Sequence, residues 1–381
     1  MNKLIMRIRL NRILTVPVMI LIFIGIISAV VWRLSIKYVE VADFCTHSIS
    51  YALRFILTKS TYLLPFSLAE FILMISAPLL LFLTVRFVLT IVYAKRRGID
   101  RTAKIFRVFF RIMAFCGVLM FIFTFAFGVC YGKTPVNGRI GFDRRLLDAG
   151  DLALALEILI DELNAVSENV QLVDWETGST IMPYSFNQMN KKLNEAYKNM
   201  LGRHDLFRRI QSKVKPVILS AEMAKAHIGG IYMPFTGEAN VSIDGPDYNL
   251  PFVSAHEMSH LMGVAREDEA NFVAFLACLY SDDDYIRYSG LVNMTDYIQN
   301  ALRRADSEKY LEVMAALPAM VINEWIAYSD YFDRYRDTKI SKVASTVNNS
   351  YLQVQGQEQG VKSYGFVVDL ATVYLIDVYE R

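Results

Sequence analysis

The amino-acid sequence predicts a mainly α (α+β) protein, with three N-terminal transmembrane helices followed by a mostly helical domain that carries a small β element. Three observations carry this prediction. The first 132 residues contain three long apolar runs, the later residues show the period of about 3.6 expected of amphipathic helices, and the charge divides at the same boundary. The chain has 381 residues and a net charge of +2, yet residues 1–131 carry 16 Lys/Arg against 4 Asp/Glu, and the remainder 24 against 34. An apolar fraction of 54% with mean hydropathy +0.30 is too greasy for an ordinary soluble chain and too polar for one lying wholly in lipid. Four cysteines exclude a disulfide-built scaffold.

The first apolar run, Ile13 to Trp32, has 20 residues and no charge, enough for a helix to cross the hydrocarbon core. A cleavable signal peptide is the alternative, since Lys3, Arg7, Arg9 and Arg12 form a basic leader. The run exceeds an ordinary signal core, however, and Ile27-Ser28-Ala29 is a poor cleavage site. The second span is placed at about 66–93, with Phe71 to Val85 its uncharged centre and Pro78 a kink. Glu70 and Arg86 are read as interfacial residues that snorkel. The third span, about 110–131, is uncharged from Ile112 onward. The basic N-terminal tail and the loop with Lys95, Arg96, Arg97, Arg101 and Lys104 place both segments in the cytoplasm. Arg33 to Thr61 and everything after Gly132 are then extracytoplasmic. Beside apolar runs of this length, basic clusters fit a lipid bilayer as partner and not a nucleic acid.

Residues 133–381 form the second part. Asp148 to Glu168 places Leu152, Leu156, Leu159, Ile160 and Leu163 on one stripe of a helix. Ser185 to Ile210, Ser307 to about Tyr335 and Lys362 to Tyr379 are further helical segments. Strands are expected at Gly229–Phe235 and Ala239–Ile243, joined by a turn at Thr236-Gly237.

The segment Pro251 to Gly263 contains His256-Glu257-Met258-Ser259-His260, an H-E-x-x-H pattern. On a helix the two imidazoles share a face and can bind one Zn2+ per chain, while Glu257 projects beside them as a general base toward a water that the metal activates. Phe252, Val253, Leu261 and Met262 make the helix apolar, so an unfilled His-Glu-His face would leave buried polar groups unsatisfied. A third protein ligand is required. Glu267 and Glu269 both begin the next helix. Glu269 is the expected ligand because it lies deeper in that helix beside the small Ala270, and Glu267 is the fallback. A third histidine of the metzincin type is excluded, since Arg266 stands in its place.

Gly230 to Val241, the His-Glu-Met-Ser-His stretch, Ala265 to Cys278, Arg287 to Gly290, Ser363-Tyr364-Gly365 and Val367 to Leu370 together resemble the bacterial DUF3810 family. The resemblance spans nearly the whole chain and implies three N-terminal spans with a zincin-like peptidase domain. The Glu269-Ala270-Asn271-Phe272 segment is also similar to the third-ligand helix of ImmA/IrrE-type gluzincin peptidases, and this similarity implies Glu269 as the ligand.

Gly230, Ile231 and Tyr232 are expected to offer an edge strand to an extended peptide. Tyr288 and Tyr364 are candidates to donate a hydroxyl to the transition state. The expected function is zinc-dependent peptide-bond hydrolysis outside the cytoplasmic membrane of a bacterium, on a protein or cell-wall peptide. The alternative is a membrane-anchored sensor or binding protein that does not cut.

Overall fold

The first helices described are α1 (Val16–Lys37), two short ones, α2 (Val39–Cys45) and α3 (Tyr51–Thr61), and then α4 (Leu68–Val92) and α5 (Arg101–Ala126). The computed structural model describes residues 15–94, 96, 98–336, 338–357, 359 and 366–379. Among these, α1, α4 and α5 with its 3-10 extension to Gly132 are long and apolar enough to cross a membrane. Their starts follow from local chemistry. Pro17 occupies the first turn of α1, Ser67 accepts from the Glu70 N–H at the head of α4, and Asp100 accepts from the Ala103 N–H at the head of α5. The Asp100 cap starts α5 nine residues before the expected position, in a basic stretch, Arg101 to Arg111, that the apolar run does not include. Pro78 lies inside α4, which continues through it.

α1 packs along α5 through small residues. A Cβ on Gly25 would fall on the backbone of Gly117, and one on Gly117 would fall on the Leu21 carbonyl, so the two backbones approach as only glycine allows.

The remaining helices are α6 (Val136–Ile140), α7 (Ala149–Ser167), α8 (Phe186–Arg203), α9 (Ser220–Lys225), α10 (Asn249–Leu261), α11 (Glu267–Leu279), α12 (Asp284–Ala305), α13 (Ser307–Met314), α14 (Ala319–Asp333), α15 (Lys339–Val354) and α16 (Val367–Tyr374). α7 starts at a capping box between Asp148 and Asp151 and lays its leucine stripe against α12. α8 ends at Arg203, short of the expected Ile210, where His204 turns extended. The segment from Ser307 to Tyr335 is two helices, not one. The first ends at Met314, Pro318 is the N-cap of the second, and the pair is bent by 118°. Every residue of α11 is buried, with α10, α12, α8 and α16 packed around it.

The sheet has three short strands, β1 (Val214–Pro216), β2 (Gly230–Met233) and β3 (Glu238–Val241), in the order β1-β3-β2. β2 and β3 form the expected antiparallel pair, with Ile231 opposite Asn240, and β1 joins in parallel with Lys215 opposite Asn240. β1 has three residues and a lysine at its centre, so it carries no alternation from which a strand could be read.

The apolar helices are tied to this domain by buried charge. Glu238 accepts from the Leu68 and Ala69 N–H groups at 3.0 and 2.8 Å, capping α4, and its carboxylate also pairs with Lys215 Nζ at 2.5 Å. Glu70 does not snorkel. It is 8% exposed, and its carboxylate accepts from the Ile218 and Leu219 N–H groups at 3.0 and 2.7 Å. Removing Glu238 leaves Lys215 buried and unpaired, so Glu238→Ala is expected to destabilise the protein by about 3–5 kcal/mol. The paired Lys215→Met/Glu238→Leu variant should lose less, and thermal unfolding of the full chain in detergent compares the two.

Candidate metal centre

α10 carries His256, Glu257 and His260 on consecutive turns and ends in a tight reversal. Gly263 adopts φ +92°, its N–H donates to the His260 carbonyl, and the Val264 N–H donates to the Ser259 carbonyl. This is a Schellman ending, and it returns the chain so that α11 packs antiparallel on α10.

The reversal fixes the third acid. The ligand atoms of His256, His260 and Glu267 all lie within 4.8 Å of one another. Glu267 Oε2 is 3.2 Å from His256 Nε2 and 3.4 Å from His260 Nε2. Glu269, the expected ligand, is not in this cluster. Residues two apart on a helix point about 200° from each other, so the turn that aims Glu267 at the histidines aims Glu269 away. Its carboxylate accepts from the Val136 N–H and from Arg266, both at 3.3 Å, and burial raises its pKa. Glu269 therefore anchors the entry of the chain into the domain, and the fallback Glu267 takes the place beside the histidines.

Each imidazole is oriented from behind. His260 Nδ1 lies 2.7 Å from the Val264 carbonyl, which can only accept, so Nδ1 carries a proton and Nε2 faces the cluster. His256 Nδ1 lies 2.7 Å from Asn271 Oδ1, and Asn271 in turn donates to the Tyr297 hydroxyl at 3.3 Å. Asn271 stands one turn beyond Glu267 on α11, so a single helix supplies both an acid and an orienting group. Burial works against charge on His260, but the Glu267 and Glu257 carboxylates and the Val264 carbonyl outweigh it and lift its pKa to about 9. Burial likewise works against Glu267, yet the two imidazoles hold it well below the carboxylate range. Cluster and partners are mutually neutralising, an arrangement that a divalent cation can enter by displacing protons.

Glu257 is 4% exposed, burial raises its pKa, and its Oε2 has no hydrogen-bond partner. The Tyr232 N–H supports its carboxylate from β2. A Cβ on Gly230 would stand 2.5 Å from Glu257 Cγ, so this strand approaches the acid as closely as it does only because residue 230 is glycine. Of the expected strand residues, Gly230 thus borders Glu257, Ile231 is 44% exposed, and Tyr232 turns its ring inward against Phe127 at 5.2 Å. β2 lies at an edge of the sheet, with one side left unpaired by β3.

Tyr288 lies apart from the histidines. It is fully buried among Tyr248, Tyr285 and Glu324, and its hydroxyl donates to Glu324 at 3.3 Å. Tyr364 lies outside the described residues. Two phenols feel the Glu267 charge: Tyr297 on α12, which accepts from Asn271, and Tyr351 on α15, whose hydroxyl meets that of Tyr131 at 3.4 Å. Burial, with the Glu267 charge adding to it, pushes Tyr351 up to about 12. Sequence spacing gave no sign of Tyr351, which lies 84 residues beyond Glu267 on a separate helix.

The fold and site define a mainly helical protein with three apolar helices and a buried His-His-Glu cluster. The chain belongs to the family described as "Protein of unknown function (DUF3810)", whose model matches residues 46–372. No curated protein and no solved structure matches it.

If the cluster holds a metal as arranged, Glu267→Ala removes it while Glu269→Ala retains it, and metal content of the purified full-length variants reads the difference directly. A second expectation concerns pH. Burial raises the Glu324 carboxyl to about 7, opposed by hydrogen bonds from Thr180 and Tyr288. The folded state therefore holds this proton more tightly than the unfolded chain, and the contribution is present at acid pH and lost as pH rises through about 7. Glu324→Gln should remove that slope and be the more stable protein at pH 8, by on the order of 2 kcal/mol. Chemical denaturation at pH 5 and pH 8 measures it.

Proposed function

We propose that this protein is a membrane-anchored, zinc-dependent metallopeptidase. The observation that carries the reading is the juxtaposition of three ligand atoms from His256, His260 and Glu267 with a buried, unpartnered Glu257 carboxylate oxygen beside them. The donor set fits zinc: two imidazole nitrogens freed by partners at Nδ1, one carboxylate oxygen, and a fourth position left for a non-protein ligand. When bound, the metal would supply Lewis acidity to a scissile carbonyl and acidify a water.

The chain's own residues do the rest. Glu257 Oε2 accepts the proton of the attacking water and returns it to the leaving amine, a role that its raised pKa favours. Gly230 leaves room for that carboxylate, and the Tyr232 N–H holds it in place. The free edge of β2 would pair with an extended peptide through main-chain hydrogen bonds. Tyr351 and Tyr297, the two phenols that feel Glu267, would take the role expected of Tyr288 and Tyr364, donating a hydroxyl to the developing oxyanion.

The basic N-terminal tail and the basic loop before α5 would face the cytoplasm, putting the site outside a bacterial cytoplasmic membrane. The Phe127 ring, near the end of α5, packs edge-on against His260 with centroids 5.6 Å apart. The reading therefore places the reaction at the bilayer surface, on peptides or cell-wall peptides held close to it. Polar neutralisation of the cluster by its own residues also fits a module that binds without cutting, and Glu257 separates the two readings.

Glu257→Gln is expected to keep the metal and lower hydrolysis of a peptide library by about 10²–10⁴-fold. A parent that holds metal and cleaves nothing would sink the peptidase reading. Gly230→Ala should behave similarly in milder form, retaining metal while losing turnover, because its new methyl group displaces Glu257.

A further inference from the structure

A cleft with several basic side chains in its lining lies beside the α10–α11 turn, where Met262 reaches it. It is a shallow cleft open to one side, with an inner volume of about 20 Å³, and Arg54, Lys133, Arg139, Arg208 and His47 line it together with apolar groups such as Phe207 and Met262. Arg54 is 2% exposed, and its Nη1 is engaged by Ser50 Oγ and Cys130 Sγ, but its Nε has no partner. Arg139 meets Asp43, His47 and the Leu206 carbonyl, and its Nε is likewise unpartnered. Arg208 stacks over the Tyr51 ring at 4.1 Å. Lys133 is 4% exposed against the Phe207 ring. Asp43 lies against Arg139 and Glu269 acts on Lys133, whereas Arg208 is exposed to solvent and buried Arg54 meets Ser50 and Cys130. Asp43 is occupied by the N–H and hydroxyl of Thr134 as well as by Arg139, and Glu269 by Val136 and Arg266. Buried cations in excess of their counter-charges are costly unless an anion completes the site. The Lys133 ammonium shows that cost, since burial pulls it down to about 8.

We infer that this cavity binds a phosphate-bearing anion. Guanidinium forks at Arg54, Arg139 and Arg208 suit the several acceptor oxygens of a phosphate, and Lys133 supplies a point charge at the floor. Position favours a lipid as the source. Lys133 directly follows the last turn of α5, and Thr46 and Arg54 lie in the segment between α1 and α4, so the cavity sits where apolar helices end and headgroups begin. A free phosphate would satisfy the same groups.

The test uses the full chain purified in a neutral detergent. Thermal unfolding and native mass spectrometry are run with phosphatidylglycerol, phosphatidylcholine or inorganic phosphate, on the parent, Lys133→Met, Arg208→Ala, and Lys198→Ala as an exposed control on α8. Phosphatidylglycerol should stabilise and remain bound to the parent and the control, and Lys133→Met and Arg208→Ala should bind about tenfold more weakly. Stabilisation by inorganic phosphate alone, with the same dependence on Lys133 and Arg208, would keep the site and make free phosphate its source. Equal binding by parent and both cavity variants, or no response to either phosphate source, would overturn it. Should Lys133→Met fail to fold, the exposed Arg208 decides.

Discussion

The Schellman reversal at Gly263 is the constraint on which the candidate centre rests. It folds α11 back along α10, brings the Glu267 carboxylate to the two imidazoles, and delivers the Val264 carbonyl to His260 Nδ1 in the same step. Arg54 packs so closely on Gly263 that any side chain there would strike its guanidinium. The turn is thus held from within by glycine's left-handed conformation and from outside by a buried arginine of the segment between the first two apolar helices.

That contact illustrates a wider pattern, in which charge couples the two halves of the molecule. Glu238 caps α4 from the sheet, Glu70 on α4 caps the approach to α9, and Arg54 on α3 supports the turn at Gly263. For Glu238 and Glu70 the cost of desolvation is offset by backbone N–H donors, while Arg54 meets Ser50 and Cys130. Phe127, packed on His260 and Tyr232, adds an apolar link from the end of α5. The apolar helices and the helical domain are consequently one packed unit, and the position of the site relative to the ends of those helices is fixed.

Much of this was legible in the residues. Apolar length announced the three long helices, the leucine stripe and Asp148 announced α7, and the spacing of His256 and His260 placed both on one helical face. The choice between Glu267 and Glu269 was not legible. Both begin the same helix, and depth in the helix was the wrong criterion; rotational phase, set by the preceding turn, decides which acid faces α10. Tyr288 and Tyr351 show the same limit, since a phenol's neighbours depend on how distant helices pack.

By itself, the sequence determined the helical class, the apolar segments, and a His-Glu-His face whose spacing is intrinsic to the α-helical period, because all of these rest on interactions within a few residues of chain. Tertiary structure alone decided which carboxylate completes the cluster, which groups orient the histidines, and that Arg54 and Lys133 share a cavity. Those outcomes join residues 256 and 260 to 267 and 271 across a turn, and residue 54 to 133 and 208 across the fold. Contacts at such separations are set by packing, for which local spacing carries no signal.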